Sequence, residues 1–81
     1  MKMIKRLDEF SIGETGQIIK VDGEGRIRRR LFDMGVTPGA EINLRKKAPL
    51  GDPLEIKIRG YELTLRITEA QLITLEVGEN K

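Results

Sequence analysis

Four arginines crowd the stretch "GRIRRRLFDMG" at 25–35: Arg26, Arg28, Arg29 and Arg30. On a helix, Arg26, Arg29 and Arg30 stand at i, i+3 and i+4, so their guanidinium groups share neighbouring faces and concentrate positive charge. Together with Arg45, Lys46 and Lys47, such a surface could grip nucleic-acid phosphates, or meet anionic lipid or an acidic protein face. Gly23 and Gly25 just before the helix suggest a phosphate cradle, but their spacing matches neither GxxxxGK[ST] nor GxGxxG. Turn formation and helix entry explain them more simply. The single tyrosine and two phenylalanines do not interleave with the basic residues as a base-stacking platform would require. Glu24 and Asp33 also flank the arginines, so protein contact or plain solvation is favoured over nucleic acid.

A second candidate is "PLGDP" at 49–53. Pro49 and Pro53 stiffen its two ends, Gly51 permits a positive φ, and Asp52 can accept hydrogen bonds from nearby amides. It reads as a rigid connector between strands. Leu50, however, is expected at the tip, exposed on a loop that cannot fold away. An aliphatic group held stiffly loses little entropy on docking and suits a protein-contact anchor. Tyr61 is expected in a tight hairpin, either lying back on the fold or offering its ring outward. Ser11, the threonines and scattered carboxylates assemble no nucleophile, base and acid, so catalysis is not expected.

Composition narrows the chemistry further. The 81 residues contain no cysteine and no histidine, which removes disulfides, thiolate ligands, the usual general base and the commonest transition-metal ligand. Carboxylates, carbonyls, water and the thioethers of Met1, Met3 and Met34 are what remains for a metal, which argues against a dedicated ferrous or zinc site; no cofactor is expected. No apolar run exceeds two residues, so neither a membrane span nor a signal-peptide core is present, and a cytoplasmic chain is expected. Fifteen basic and thirteen acidic side chains give a net charge of +2. The charge is uneven: residues 24–47 hold seven basic and three acidic groups.

The elements that must carry these residues follow from periodicity. Residues 1–81 read as one domain, with loose ends at 1–6 and 78–81. Gln17–Val21 reads as a strand and stops at the Asp22-Gly23 turn dipeptide. Ile27, Leu31 and Met34 then fall at i, i+4 and i+7, one stripe of a short helix, which places Met34 in the core. Gly35 fits the left-handed position beyond the helix, with Val36 folding back onto Leu31 or Phe32. Pro38-Gly39 suits a type II turn, and a strand follows over about 40–47. Leu54, Ile56 and Ile58 alternate on one parity and Leu63, Leu65 and Ile67 on the other, which predicts a hairpin around Gly60-Tyr61 as a type II′ turn. In that register Ile58 faces Leu63, Ile56 faces Leu65 and Leu54 faces Ile67, with Arg59–Glu62 and Glu55–Arg66 as charge pairs on the other face. Thr68 to Gln71 has the form of a capping box, predicting a helical turn over about 69–73, before a last strand at Ile73–Val77. Five short strands, a helix between the first two and a helical turn before the fifth point to a mainly β, partly closed small barrel.

The run "RRRLFDMGVTPGAEINLRKKAPLGDPLEIKIRGYELTLR", 28–66, resembles the ferrous iron transport protein A family, FeoA. The parts that carry the likeness are Leu31 to Gly39, Ala48 to Pro53 and Arg59 to Arg66, with "GETGQI" at 13–18 and "TEAQLITLE" at 68–76 also fitting. The resemblance implies an SH3-like antiparallel barrel. It also implies a small cytosolic accessory of ferrous iron uptake that binds the cytosolic GTP-binding or membrane-proximal region of a FeoB-type permease and reaches the membrane only through that partner. It brings a family association with transition metal ions that the missing His and Cys do not support in this chain. The expected contact residues are Arg29, Arg30, Met34, Leu50, Asp52 and Tyr61. Two other readings stay open: a nucleic-acid-binding barrel using residues 26–47, and a regulatory SH3-like module related to the C-terminal domain of metal-dependent repressors.

Overall fold

In the computed structural model, which describes residues 2–78, six strands form one antiparallel sheet. They are β1 Lys2–Arg6, β2 Thr15–Val21, β3 Glu41–Lys47, β4 Leu54–Ile58, β5 Tyr61–Leu65 and β6 Ile73–Gly78. Helix α1, Gly25–Asp33, links β2 to β3, and the four-residue α2, Ile67–Ala70, links β5 to β6. Across the sheet the strands run β1-β6-β2-β3-β4-β5.

This order corrects two expectations. There are six strands rather than five, and the sheet is not closed into a barrel: β1 and β5 are its outer members, and no ladder joins them among the described residues. Alternation along a strand settles which side chains face the core, but it is silent on which edges meet. Here β1 adds on beyond β6 and β5 runs into α2, so each end of the sheet stays open. Two bulges, between Ile18 and Lys20 and between Leu44 and Lys46, bend the ladder enough for one apolar cluster to gather residues from β2 through β6, among them Ile18, Ile42, Leu44, Ile56, Leu65 and Leu75.

The expected loose N-terminus is also corrected. Lys2 to Arg6 pair residue by residue with Gly78 to Thr74 of β6; Met1 and residues 79–81 lie outside the described residues. Met3 and Ile4 are both exposed, so no apolar alternation marks this strand. It is held by main-chain pairing and by Lys5, whose Nζ donates to Glu14 Oε2 at 2.8 Å. A 3₁₀ turn, Leu7–Glu9, then delivers Leu7 and Phe10 into the core. Gly16 makes room for Phe10: a Cβ there would sit 2.8 Å from the ring.

The β4–β5 hairpin keeps the expected faces but not the expected register. Ile58 pairs with Tyr61, Ile56 with Leu63 and Leu54 with Leu65, so the two-residue loop is Arg59-Gly60. Both loop residues have positive φ, +50° and +85°, which is a type I′ turn. The shift is two positions, and side-chain direction repeats every two, so the same apolar side faces inward. The charge pair this register creates is Lys57 opposite Glu62.

The helix terminus was legible. Val36 N–H donates to Leu31 O at 2.9 Å and Gly35 N–H to Phe32 O at 3.0 Å, with Gly35 at φ +91°, a Schellman ending. Ala40 N–H to Thr37 O at 3.0 Å closes the Pro38-Gly39 turn. The stripe is shorter than expected: Leu31 is fully buried and Met34 half-buried against the core, but Ile27 is 46 % exposed. The helix α2 begins two residues before the expected start. Its N-terminal partners are Glu69, which accepts the Arg66 N–H at 2.9 Å, and Asp52, which accepts the Ile67 N–H at 2.9 Å; Thr68 is inside the helix and Gln71 follows its end.

Candidate functional site

The arginines of α1 divide into two kinds. Arg28 stays exposed but is held by its own fold: its Nε donates to Val21 O at 3.1 Å and its guanidinium lies 4.5 Å from the Phe32 ring centre, a cation–π contact. Arg30 reaches across to α2, where Nη1 meets Glu69 Oε2 at 2.6 Å. Glu69 is only 5 % exposed, and both its oxygens are used, one by Arg30 and one by the Arg66 amide. Arg26 and Arg29 are exposed and meet no carboxylate among the described residues. Arg29 borders a shallow depression with Gly25, Arg28 and Phe32. Half of the basic cluster is therefore structural, and the free half flanks the exposed Ile27.

At the far end of α1 the hairpin tip grips the helix. Arg59 Nε donates to Gly35 O at 3.0 Å and Nη2 to Thr37 Oγ1 at 2.7 Å. The Tyr61 hydroxyl donates to Met34 O. Carbonyls at a helix C-terminus lack intrahelical donors, and these two side chains supply them. Tyr61 lies back on the fold through its hydroxyl and keeps 42 % of its surface exposed.

At the other end of β4, residues 48–53 form the stiff loop. Gly51 N–H donates to Ala48 O at 2.7 Å and Ala48 N–H to Pro53 O at 3.0 Å. Leu50 is 96 % exposed. Asp52 is occupied by the Ile67 amide, and it lines a depression of about 310 Å³ with Arg30, Pro53, Thr64, Arg66 and Glu69.

The six expected contact residues thus fall into separate places. Arg30 and Asp52 border one depression, and Met34 and Tyr61 meet through one hydrogen bond. Arg29 stands on the outer side of α1, and Leu50 is alone at a loop tip. Sequence reasoning missed Glu69 and Arg59 as the centres of the polar network. Arg59 carried no local signal, because type I′ turns favour Asn, Asp or Gly at the first loop position and Arg59 adopts φ +50° there. Glu69 did have a signal, as a glutamate three residues after the helix's first flanking position. Among the described residues no group of three or more carboxylates could hold a metal ion, and no helix is long and apolar enough to cross a membrane.

Against known families, the FeoA domain model matches residues 5–77. The chain belongs to the FeoA family. Its SH3-like fold is shared with a FeoA-like protein from Clostridium acetobutylicum, at 38 % identity and a TM-score of 0.89 over 100 % of this chain and 94 % of that one. The FeoA protein of Chlorobium tepidum is 36 % identical, with a TM-score of 0.86 over 95 % of this chain and 73 % of the other. Among curated proteins, an Fe(2+) transport protein A/Fe(2+) transporter FeoB fusion protein from Porphyromonas gingivalis is 36 % identical over 72 residues, 89 % of this chain. The match spans only 8 % of that relative's length. Members of the FeoA family are accessory modules rather than enzymes.

Proposed function

We propose that this FeoA-family chain is a cytosolic accessory of ferrous iron uptake that docks on the cytosolic region of a FeoB-type permease and tunes transport or nucleotide turnover. The observation that carries the reading is the fused relative, in which a homologous segment and the transporter share one polypeptide. Fusion sets a high effective concentration between two units; separate chains doing the same work need an interface instead. The best support for its position is along α1 and its C-terminal turn. There Arg26 and Arg29 carry unneutralised charge, Ile27 offers apolar area, and Met34 and Tyr61 close the far end. Arg30 and Asp52 hold the frame beneath that edge. Leu50 lies at the opposite end of β4 and outside it.

The same arginines also bear on nucleic-acid binding. Arg28 and Arg30 are committed to partners within the chain and Phe10 is buried, which thins the phosphate grip and the stacking surface that the reading over residues 26–47 would need.

The test is calorimetric titration of this chain into the permease's cytosolic region, and into permease in detergent. Binding is expected, with the Arg26→Glu/Arg29→Glu variant weakened roughly tenfold or more, as for charge reversal at a complementary face. No heat with either form of the permease refutes the contact; binding unchanged by the double variant moves the interface elsewhere.

A further inference from the structure

Arg30 and Asp52 border one depression from different elements, yet among the described residues they share neither a hydrogen bond nor an ion pair. Each is fastened instead to α2. We infer that α2 couples the α1 edge to the 48–53 loop, so that a partner seated on α1 changes how firmly the Leu50 tip is held, and a contact at the loop changes α1 in return. This goes beyond the docking proposed above, because the coupling belongs to this chain alone and is present whether or not a permease binds along α1.

A helix of four residues does not sustain itself. Inside α2 and its ends the hydrogen bonds are few, Ala70 N–H to Arg66 O at 2.9 Å and Gln71 N–H to Ile67 O at 3.0 Å among them, and helices this short are unstable alone. Ala70 is fully buried and anchors α2 to the core. Among the described residues, two side chains reach it from other elements. Asp52 Oδ1, from the loop, accepts the Ile67 N–H at 2.9 Å, and Arg30 Nη1, from α1, donates to Glu69 Oε2 at 2.6 Å. One tie fixes the start of α2, the other its third residue.

Glu69 makes the link stiff. It is 5 % exposed, and its Oε1 accepts the Arg66 N–H at 2.9 Å. Withdrawing Arg30 leaves a buried carboxylate without its cation, which is strongly destabilising, and α2 can relieve this by turning Glu69 toward water. That movement carries the Ile67 N–H away from Asp52. The loop feels the change because Asp52 adjoins Pro53, whose carbonyl accepts the Ala48 N–H at 3.0 Å. The Arg30 side chain is itself 60 % exposed, so a partner on α1 can reach it. In the other direction, loss of the Asp52 acceptor frees the start of α2 and loosens the seat of Glu69. Coupling of this kind is reciprocal.

A double-mutant cycle in denaturant unfolding tests this on the chain alone. Arg30→Gln and Asp52→Ala together are expected to destabilise less than the sum of the two single changes, with a shortfall of at least about threefold in the unfolding equilibrium constant. Asp52→Asn keeps an acceptor for the Ile67 amide and removes only the charge, so it should add to Arg30→Gln without shortfall. Arg59→Ala, which frees the other end of α1, should add to Asp52→Ala in the same way. In folded Arg30→Gln, amide exchange is expected to quicken several-fold at Ile67 and at Ala48, and Arg59→Ala should leave both unchanged. If Arg30→Gln alone does not fold, adding Glu69→Gln removes the buried charge and supplies the background for the same cycle. The inference is overturned by full additivity of Arg30→Gln with Asp52→Ala, or by unchanged exchange at Ala48 in Arg30→Gln. An equal shortfall with Asp52→Asn also overturns it, since that would be direct charge attraction across the depression.

Discussion

The two ends of β4 are both tight and both stiff, yet they spend their side chains in opposite ways. At the Arg59-Gly60 end, Arg59 and Tyr61 turn back and close the carbonyls of Met34 and Gly35 together with the Thr37 hydroxyl. At the Ala48–Pro53 end the loop is closed by its own main chain, and Leu50 is left outside. Rigidity is common to both, so rigidity alone does not mark a docking point. What distinguishes them is whether the side chain at the tip has a partner in its own fold.

Substitutions can break or sharpen this contrast. The largest effect is expected at Gly35→Ala. A Cβ there would lie 3.0 Å from the Tyr61 hydroxyl and 3.2 Å from Arg59 Cδ, at φ +91°. Left-handed strain and the crowded clamp together should cost about 1–3 kcal/mol in denaturant unfolding; a neutral outcome means that the clamp contributes nothing. Next is Asp52→Ala, which removes the acceptor of the Ile67 amide at the start of α2. Loss of a helix cap of this kind is expected to cost about 1 kcal/mol, with amide exchange quickening at residues 67–70 first.

A smaller effect is expected at Lys5→Ala. Partial burial pushes the Glu14 carboxyl up, but the Lys5 hydrogen bond, the Ser11 amide and the charges of Lys5 and Lys47 outweigh it and hold the group below the usual glutamate range. A carboxyl depressed in the folded state contributes stability above its unfolded value, near about 4.3, and that contribution drains as pH falls through the lower folded value. The variant should therefore be less stable by up to about 1 kcal/mol at neutral pH, and the difference should vanish in acid. A gap that persists there would assign the role of Lys5 to packing. The smallest effect on stability is expected at Leu50→Ala, within about 0.5 kcal/mol; a larger loss would mean that the tip supports the fold and so erase the contrast.

Local structure was legible wherever neighbouring residues decide it. The Schellman ending from Leu31 to Val36, the Pro38-Gly39 turn and the exposure of Leu50 all follow from a few adjacent side chains. The hairpin register was missed because alternation fixes the face but allows slips of two, and opposite charges could be matched in more than one alignment. β1 was missed because it buries no alternating apolar row. Of the six expected contact residues, Arg30, Asp52 and Tyr61 proved to be tied internally, to partners 39, 15 and 27 positions away in the chain. No local pattern contains those distances.

The pairing of Lys2 with Gly78 brings the polypeptide in and out at one corner of the sheet. Load applied through a linker at both of these points would not shear the β1–β6 ladder as a block. It would open the ladder one hydrogen bond at a time, from that corner toward Arg6, so the outermost strand would yield as a mechanical fuse before tension reached the core.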